Sequence, residues 1–428
     1  MKGQMTYQHF AKYFENINNP LEFIDNFWGI KPTEKDIDNV KIFLEVINQY
    51  GQKLDTLKIS KLVNKSKRTI DKWIYKINLP IIIRLLEKYI ELNKPKKGKW
   101  LSLNSTRGGL FTGPWIYVPE KINNYQDIYE VINQLKSLPE SYEKLKQFDI
   151  DVNFLKENRH LFFAYLLGIM IGDASKYGFQ RKQRMMRRIQ LKLTQKHKSN
   201  ERLGNFVGLC INVLGLKYYK CKDTPPSKKN KYNFYSWNSQ SSLLFQWIFR
   251  TCLGLNDNEK TSYDPIKANW ILDSPKEFKI WFLQGIADSD GYVDINTFQV
   301  GIVSKPNIDF IQKILNTLNI KSSKTFLHKG TLFCLRFNLK TANELPIFNN
   351  YVKLYRYNLM KRLIDAKKYS HHWPEWLGEE VDNYIKNNFS STKIMRIILD
   401  KYDIAIRAGG IGKRIKKYKI WQRKKLSV

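Results

Sequence analysis

AYLLGIMIGDASKYG (residues 164–178) and WFLQGIADSDGYVD (281–294) are two versions of one pattern. In each, an apolar helix carries a glycine, an aspartate stands five residues later, and small turn residues come next. The downstream segments correspond as well. A strand of alternating pattern, RIQLKLTQK (188–196) or FQVGIVSK (298–305), precedes a helix, ERLGNFVGLCINVLGL (201–216) or NIDFIQKILNTLNI (307–320). A basic, aromatic hairpin comes next, KYYKCKDTPPSKKNKYNFYSWN (217–238) or KSSKTFLHKGTLFCLRFNLK (321–340), and a further helix starts near Ser241 or Thr341. The order helix–strand–strand–helix–strand–strand–helix therefore occurs twice. The fold class expected is α/β in the α+β sense, two pseudo-symmetric αββαββα halves whose strands form a β-saddle, flanked by mainly helical accessory domains.

Gly168 and Gly172 are four apart, as are Gly285 and Ser289. Small residues one turn apart on one helix face let two backbones approach closely. The repeated helices are thus expected to pack on each other, with Asp173 and Asp290 side by side at their ends. A carboxylate at a helix C-terminus opposes the helix dipole, and two together are worse. Divalent cations relieve this, and Mg²⁺ favours one or two carboxylates completed by phosphates and water. Paired carboxylates beneath a basic strand surface point to metal-assisted phosphodiester hydrolysis. The bland alternative is that each aspartate merely ends its helix; the same offset in two copies weighs against it.

The segments LLGIMIGDA (166–174) and LQGIADSDG (283–291) resemble the two motifs of the LAGLIDADG homing endonucleases in their single-chain, two-motif form. The resemblance covers residues 155 to 368. It implies that the motif helices form the interface and that Asp173 and Asp290 bind Mg²⁺, with Mn²⁺ as a substitute and the carbonyls of Gly172 and Ser289 as extra ligands. The first copy departs from the motif at Ile171 and Ala174. Lys196 and Lys305 end equivalent strands, where the family places a basic residue at the water or the phosphorane. Gln195 and Ser304 beside them are candidates to hold the hydrolytic water. A surface lysine at a strand end is the alternative for both lysines. The activity implied is cleavage of both strands of a long, asymmetric double-stranded DNA site across the minor groove, leaving short 3′ overhangs. The biological role implied is insertion of the protein's own intron or coding element.

Period-two alternation assigns the strand faces. Ile189, Leu191 and Leu193 face the helices, leaving Arg188, Gln190, Lys192 and Thr194 for DNA; Val300 and Ile302 face inward, leaving Gln299, Gly301 and Val303. Such ribbons fit the major groove, where Arg, Gln and Lys read base edges. The hairpins add Arg181, Lys182, Arg184, Lys220, Lys222, Lys228, Lys229, Lys231, Lys324 and Arg336, many of them expected at phosphates.

The rest of the chain frames this core. Its 428 residues suggest about three domains: 1–150, the core 151–368 with halves of about 155–264 and 265–368, and 369–428. Lys and Arg number 73 against 39 Asp and Glu, a net charge of +34 that calls for a polyanionic partner, and the 43% hydrophobic content excludes a disordered basic tail. A membrane is disfavoured, since the apolar run 161–172 is too short to span and MKGQMTYQHF has no signal-peptide core. Cys210, Cys221, Cys252 and Cys334 lack zinc-knuckle spacing and read as reduced thiols, consistent with the cytoplasm or an organelle matrix. In KISKLVNKSKRTIDKWIYKINLP (58–80) two short helices broken at 64–66 fit a helix-turn-helix opening with Lys67 and Arg68, or a plain helical hairpin. KPKKGKWLSLNSTRGGLFTGPWIYVP (94–119) suggests strands and turns. The C-terminal FSSTKIMRIILDKYDIAIRAGGIGKRIKKYKIWQRKK (389–425) reads as a capped helix, a Gly-rich turn and a basic stretch including Lys413 and Arg414. That is a second helix-turn-helix or DNA clamp, or else a solvated tail. The whole reads as a monomer acting on double-stranded DNA. An RNA-splicing maturase acting on its intron RNA and a non-cleaving DNA-binding regulator are the alternatives. An intein is disfavoured by the ends Met1-Lys2 and Leu426-Ser427-Val428.

Overall fold

The computed structural model describes residues 56–62, 64, 66–68, 98–105, 111–176, 188–197, 199–226, 231–256, 259, 264–327, 332–348, 352, 354–369 and 372–426. Two compact units emerge: Met1–Lys136 with Tyr177–Arg188 and Gln240–Asp257, and Ser137–Lys176 with Ile189–Ser239 and Asn258–Val428.

The first unit contains an antiparallel hairpin, β1 (Gly98–Ser105) and β2 (Phe111–Pro119), with a register shift between Ser102 and Asn104. The helix Tyr125–Gln134 packs on β2, and Gln134 fastens it by accepting from Tyr117 N (2.8 Å) and donating to Tyr117 O (3.0 Å). The helix Leu243–Trp247 lies against β1, and Trp247 donates its indole N–H to Pro119 O at 2.9 Å. After the helix Thr56–Leu62, Asn64 takes a left-handed φ of 51°, a conformation asparagine tolerates better than most residues. Lys67 and Arg68 come next as exposed helical residues; the expected second helix from Thr69 lies outside the described residues.

The second unit holds the repeat. The first motif helix, Arg159–Ile171, is buried at every position from Leu161 to Ile171, as an element apolar on all sides must be. It runs through Gly172 and Asp173 into β3 (Ala174–Lys176), which pairs with β4 (Ile189–Thr194). The helix Ser199–Val213 leads to β5 (Tyr218–Lys220) and β6 (Phe234–Ser239), and the sheet order is β3-β4-β6-β5. The second motif helix, Lys276–Asp290, passes directly into β7 (Gly291–Asp294) and then β8 (Gln299–Ser304). After the helix Ile308–Thr317 come β9 (Ser323–Leu327) and β10 (Leu332–Asn338), giving the order β7-β8-β10-β9. Both sheets are antiparallel with the same connectivity, so the α+β repeat legible in the sequence is present in three dimensions. Ile189, Leu191, Leu193, Val300 and Ile302 are buried as the alternation requires.

A last group of helices lies C-terminal to the repeat. The helix Leu354–Asp365 leads to β11 (Lys367–Tyr369), which pairs in parallel with β12 (Ile404–Ile406) across the helices Glu375–Lys386 and Ser391–Tyr402. Ser390 caps the latter by accepting from Lys393 N (3.4 Å), and Asp403 closes it in a left-handed turn. The Gly-rich turn expected after it is instead the first turn of the helix Ala408–Leu426.

Candidate metal and nucleic-acid site

The motif helices meet where the sequence places its glycines. A Cβ on Gly168 would lie 2.9 Å from the Gly285 Cα atom, and one on Gly285 would lie 3.0 Å from the Gly168 Cα atom. No larger residue fits either position without separating the helices. One turn on, a Cβ at Gly172 would come 2.6 Å from Ser289 Cβ and 3.0 Å from Asp290 Oδ2. This contact gathers Gly172, Asp173, Ser289 and Asp290 at one end of the helix pair. The Ser289 hydroxyl is turned back onto Gly285 O at 2.8 Å.

Electrostatics follow from that proximity. Burial, and then the neighbouring Asp173 charge, push the Asp290 carboxyl up from 3.8 to about 7, while the Arg356 guanidinium pulls the other way. Arg356, from the helix Leu354–Asp365, donates to Ala287 O (2.9 Å) and Asp288 O (3.1 Å), placing a cation at the negative end of the second motif helix. It has no sequence signature. Asp288 stands in the second motif where the first has Ile171, a position to which the sequence alone gives no role. Fully buried, it accepts from the Tyr165 hydroxyl at 2.7 Å across the helix interface. The repeat-equivalent positions, three residues either side of the glycines, hold Phe282 and Ile171. The polar pair therefore replaces an apolar pair at both ends, a signal present in the sequence once the two copies are aligned on their glycines.

The supporting residues are placed unequally. Lys196 and Lys305 are both exposed just beyond β4 and β8, with the Lys196 ammonium 5.9 Å from the centre of the Tyr232 ring. Gln195 donates its side-chain amide to Asp223 at 2.6 Å. Gln190, Lys192 and Thr194 lie on the face of β4 opposite its buried residues, and Arg188 precedes the strand, half-buried. Gln299 is half-buried at the start of β8. Gly301, expected to be open, is covered by Tyr292, whose ring would lie 2.5 Å from a Cβ there. Arg336 sits opposite Gly301 on β10, 3.9 Å from Asp294. Lys222 and Lys231 are exposed; Arg181, Lys182, Arg184, Lys228 and Lys229 lie outside the described residues.

Two lysines expected on the open surface are held on the helix side instead. Lys220 pairs in register with buried Trp237, its ammonium 2.5 Å from Glu201 and 5.1 Å from the Tyr235 ring. Lys324 pairs with buried Leu335, 2.7 Å from Asp309 and 4.5 Å from the Phe333 ring. The acids belong to the helices beneath the sheets, and period-two pleating sends these side chains toward them. The same acid–lysine–aromatic set in both halves extends the pseudo-symmetry beyond the motifs. Arg414 is likewise engaged, at 2.5 Å from Asp382 and 3.2 Å from Gly378 O, whereas Lys413 is exposed.

All four cysteines are free thiols, and among the described residues no three His, Cys, Asp or Glu side chains cluster as a metal site. Among the described residues no helix is long and apolar enough to cross a membrane.

Residues 277–330 match the LAGLIDADG-like domain. No curated protein matches the chain. Among solved structures the chain is similar to I-DmoI in complex with DNA and Ca, at 17% identity and TM-score 0.33, over 48% of this chain and 99% of that one. It is similar to mesophilic variants of the homing endonuclease I-DmoI, at 18% identity and TM-score 0.31, over 44% and 87%. It is also similar to full-length DUF199/WhiA from Thermatoga maritima, at 12% identity and TM-score 0.33, over 66% and 97%. The second motif helix and the strands β7 to β9 thus lie in a LAGLIDADG-like domain.

Proposed function

We propose that this protein is a site-specific endonuclease that hydrolyses phosphodiester bonds in both strands of double-stranded DNA with divalent metal, Mg²⁺ or in its place Mn²⁺. The observation that carries the reading is the gathering of Asp173 and Asp290 at the ends of two helices held together through Gly168 and Gly285. A buried carboxyl raised to about 7 beside a second carboxylate holds a proton without metal, and a divalent cation bound there would favour its release. Two acids, with water and phosphate oxygens completing the shell, suit Mg²⁺. Asp173 and Asp290 would hold the metal, with the carbonyls of Gly172 and Ser289 as further donors. When bound, it supplies positive charge to the attacking and leaving oxygens.

The chain's own side chains do the remainder. Lys196 and Lys305 bring charge to the scissile phosphates from the strand ends. Gln195 would serve the hydrolytic water only after releasing Asp223. Gln190, Lys192, Thr194, Gln299 and Arg336 face the bases, and Lys222 and Lys231 meet phosphates. Because the two halves differ at these positions, the recognised site is asymmetric, and one chain suffices to cut both strands. Insertion of its own intron or coding element is the role such cleavage serves. Two acids left without metal beside DNA phosphates would lower affinity, which favours cleavage over a binding-only role.

Asp173→Asn and Asp290→Asn are each expected to abolish cleavage of the target duplex while preserving its affinity, measured by gel shift in Ca²⁺. Lost binding with residual cutting overturns the assignment.

A further inference from the structure

The C-terminal helices border a second feature, an open cavity of about 1000 Å³ lined by residues of the helices Glu375–Lys386 and Ala408–Leu426, by Trp373 and Arg407 ahead of them, and by Asn296 of the β7–β8 turn. That volume is at the upper end of small-ligand sites, about 300–1000 Å³. Its charge is one-sided. Lys386, Arg407, Lys413 and Lys417 line it, all exposed and none with an acidic partner among the described residues. The acid in the lining, Asp382, is taken by Arg414 at 2.5 Å. On the helix Glu375–Lys386, Glu380 is also engaged, with Lys401 at 3.0 Å, while Glu375 and Glu379 are exposed outside the lining.

Two further observations narrow the ligand. Trp421 lines the cavity 55% exposed, its ring 5.8 Å from that of Tyr418 and within 24° of parallel. At this exposure the indole presents flat apolar surface in the same lining as the four cations. Gly409 also lines the cavity, and a Cβ there would meet nothing within 4 Å. Glycine in a helix costs about 1 kcal/mol relative to alanine, and no neighbour requires it here. Its effect is to leave bare backbone at the cavity wall, open to close approach.

Cations, an open indole and bare backbone suit a ligand with both phosphate and a flat ring. A duplex keeps its bases stacked inside and presents a convex backbone, whereas an unpaired strand offers both groups together. We propose that this cavity binds one or two nucleotides of an unpaired nucleic-acid strand, its phosphates among Arg407, Lys413 and Lys417 and a base against Trp421. The site uses none of the motif-helix residues, so it stands or falls apart from the cleavage reading.

The test is fluorescence anisotropy with the full chain and labelled 12-mers of deoxythymidylate, of uridylate, and of a blunt DNA duplex. Affinity for at least one single strand is expected to fall about tenfold in Lys413→Gln/Lys417→Gln, through loss of phosphate contacts. In Trp421→Ala it is expected to fall about fivefold or more, the low end of base–aromatic stacking. Trp421→Phe, which keeps a ring, is expected to restore most of the loss, separating stacking from misfolding. Duplex affinity should be unchanged in Trp421→Ala. The strand type with the larger loss is the ligand. Single-strand affinity indifferent to both substitutions, or a Trp421→Ala loss as large on the duplex as on the single strands, overturns the proposal.

Discussion

Asp290 is where burial and function conflict most directly. Its carboxyl, raised from 3.8 to about 7, keeps a proton in the folded chain that the unfolded chain has already released. Native stability therefore falls as pH rises from about 4 to about 7 and levels off above. At about 1.4 kcal/mol per pH unit the loss is capped at about 4 kcal/mol, and partial exposure makes it smaller. Asp290→Asn removes this burden, so in metal-free urea unfolding the variant should gain more over the parent at pH 8 than at pH 5. Equal gains at both would contradict the assignment. Tyr165 and Asp288 make a second residue-scale case. Tyr165→Phe takes a donor from a buried carboxylate and should cost about 1–3 kcal/mol. Adding Asp288→Ile recreates the pairing of the repeat-equivalent positions and should recover much of that loss; independent, additive losses in a double-mutant cycle would contradict the pairing.

At the scale of elements, the motif helices were legible because their constraint is steric and local: glycines four and five residues from a small residue and an aspartate leave one way to pack. Gly168→Ala places a methyl 2.9 Å from the backbone of the partner helix, and backbone cannot give as a side chain can. A loss of about 1–3 kcal/mol in chemical denaturation is expected, together with reduced cleavage as Asp173 and Asp290 separate. Wild-type stability in this variant would mean the helices do not pack at the glycines. Strand faces were legible for the same reason, since Ile189, Leu191 and Leu193 alternate without exception. The hairpin lysines were not. Composition marks Lys220 and Lys324 as surface cations, but only the strand register reveals that Trp237 and Leu335 turn them toward Glu201 and Asp309. Arg356 was hidden for another reason: its partners are backbone carbonyls nearly seventy residues away, which no side-chain pattern encodes.

For the whole molecule, the charge of +34 is partly spoken for. Lys220, Lys324, Arg362, Lys401 and Arg414 engage acids within the protein, so fewer cations face a ligand than the composition suggests. Those that remain should still make duplex affinity strongly salt-dependent. With roughly six to ten phosphate contacts it should drop by about 10³–10⁵ between 50 and 200 mM salt, and a flat response would remove the phosphate contacts from the account. The C-terminal helices are also less separable than a tail. Arg362 bonds Asp400, Asp403 and Leu399 O, and β11 pairs with β12, tying the helix after the repeat to residues forty positions on.

If two symmetry-related carboxylates cut two DNA strands, cleavage of a randomised duplex library with Mg²⁺, read by sequencing the ends, reports their joint requirement. The parent chain should yield one long asymmetric site cut on both strands, and neither Asp173→Asn nor Asp290→Asn should yield that double-strand product. A double-strand product that survives either substitution would contradict it.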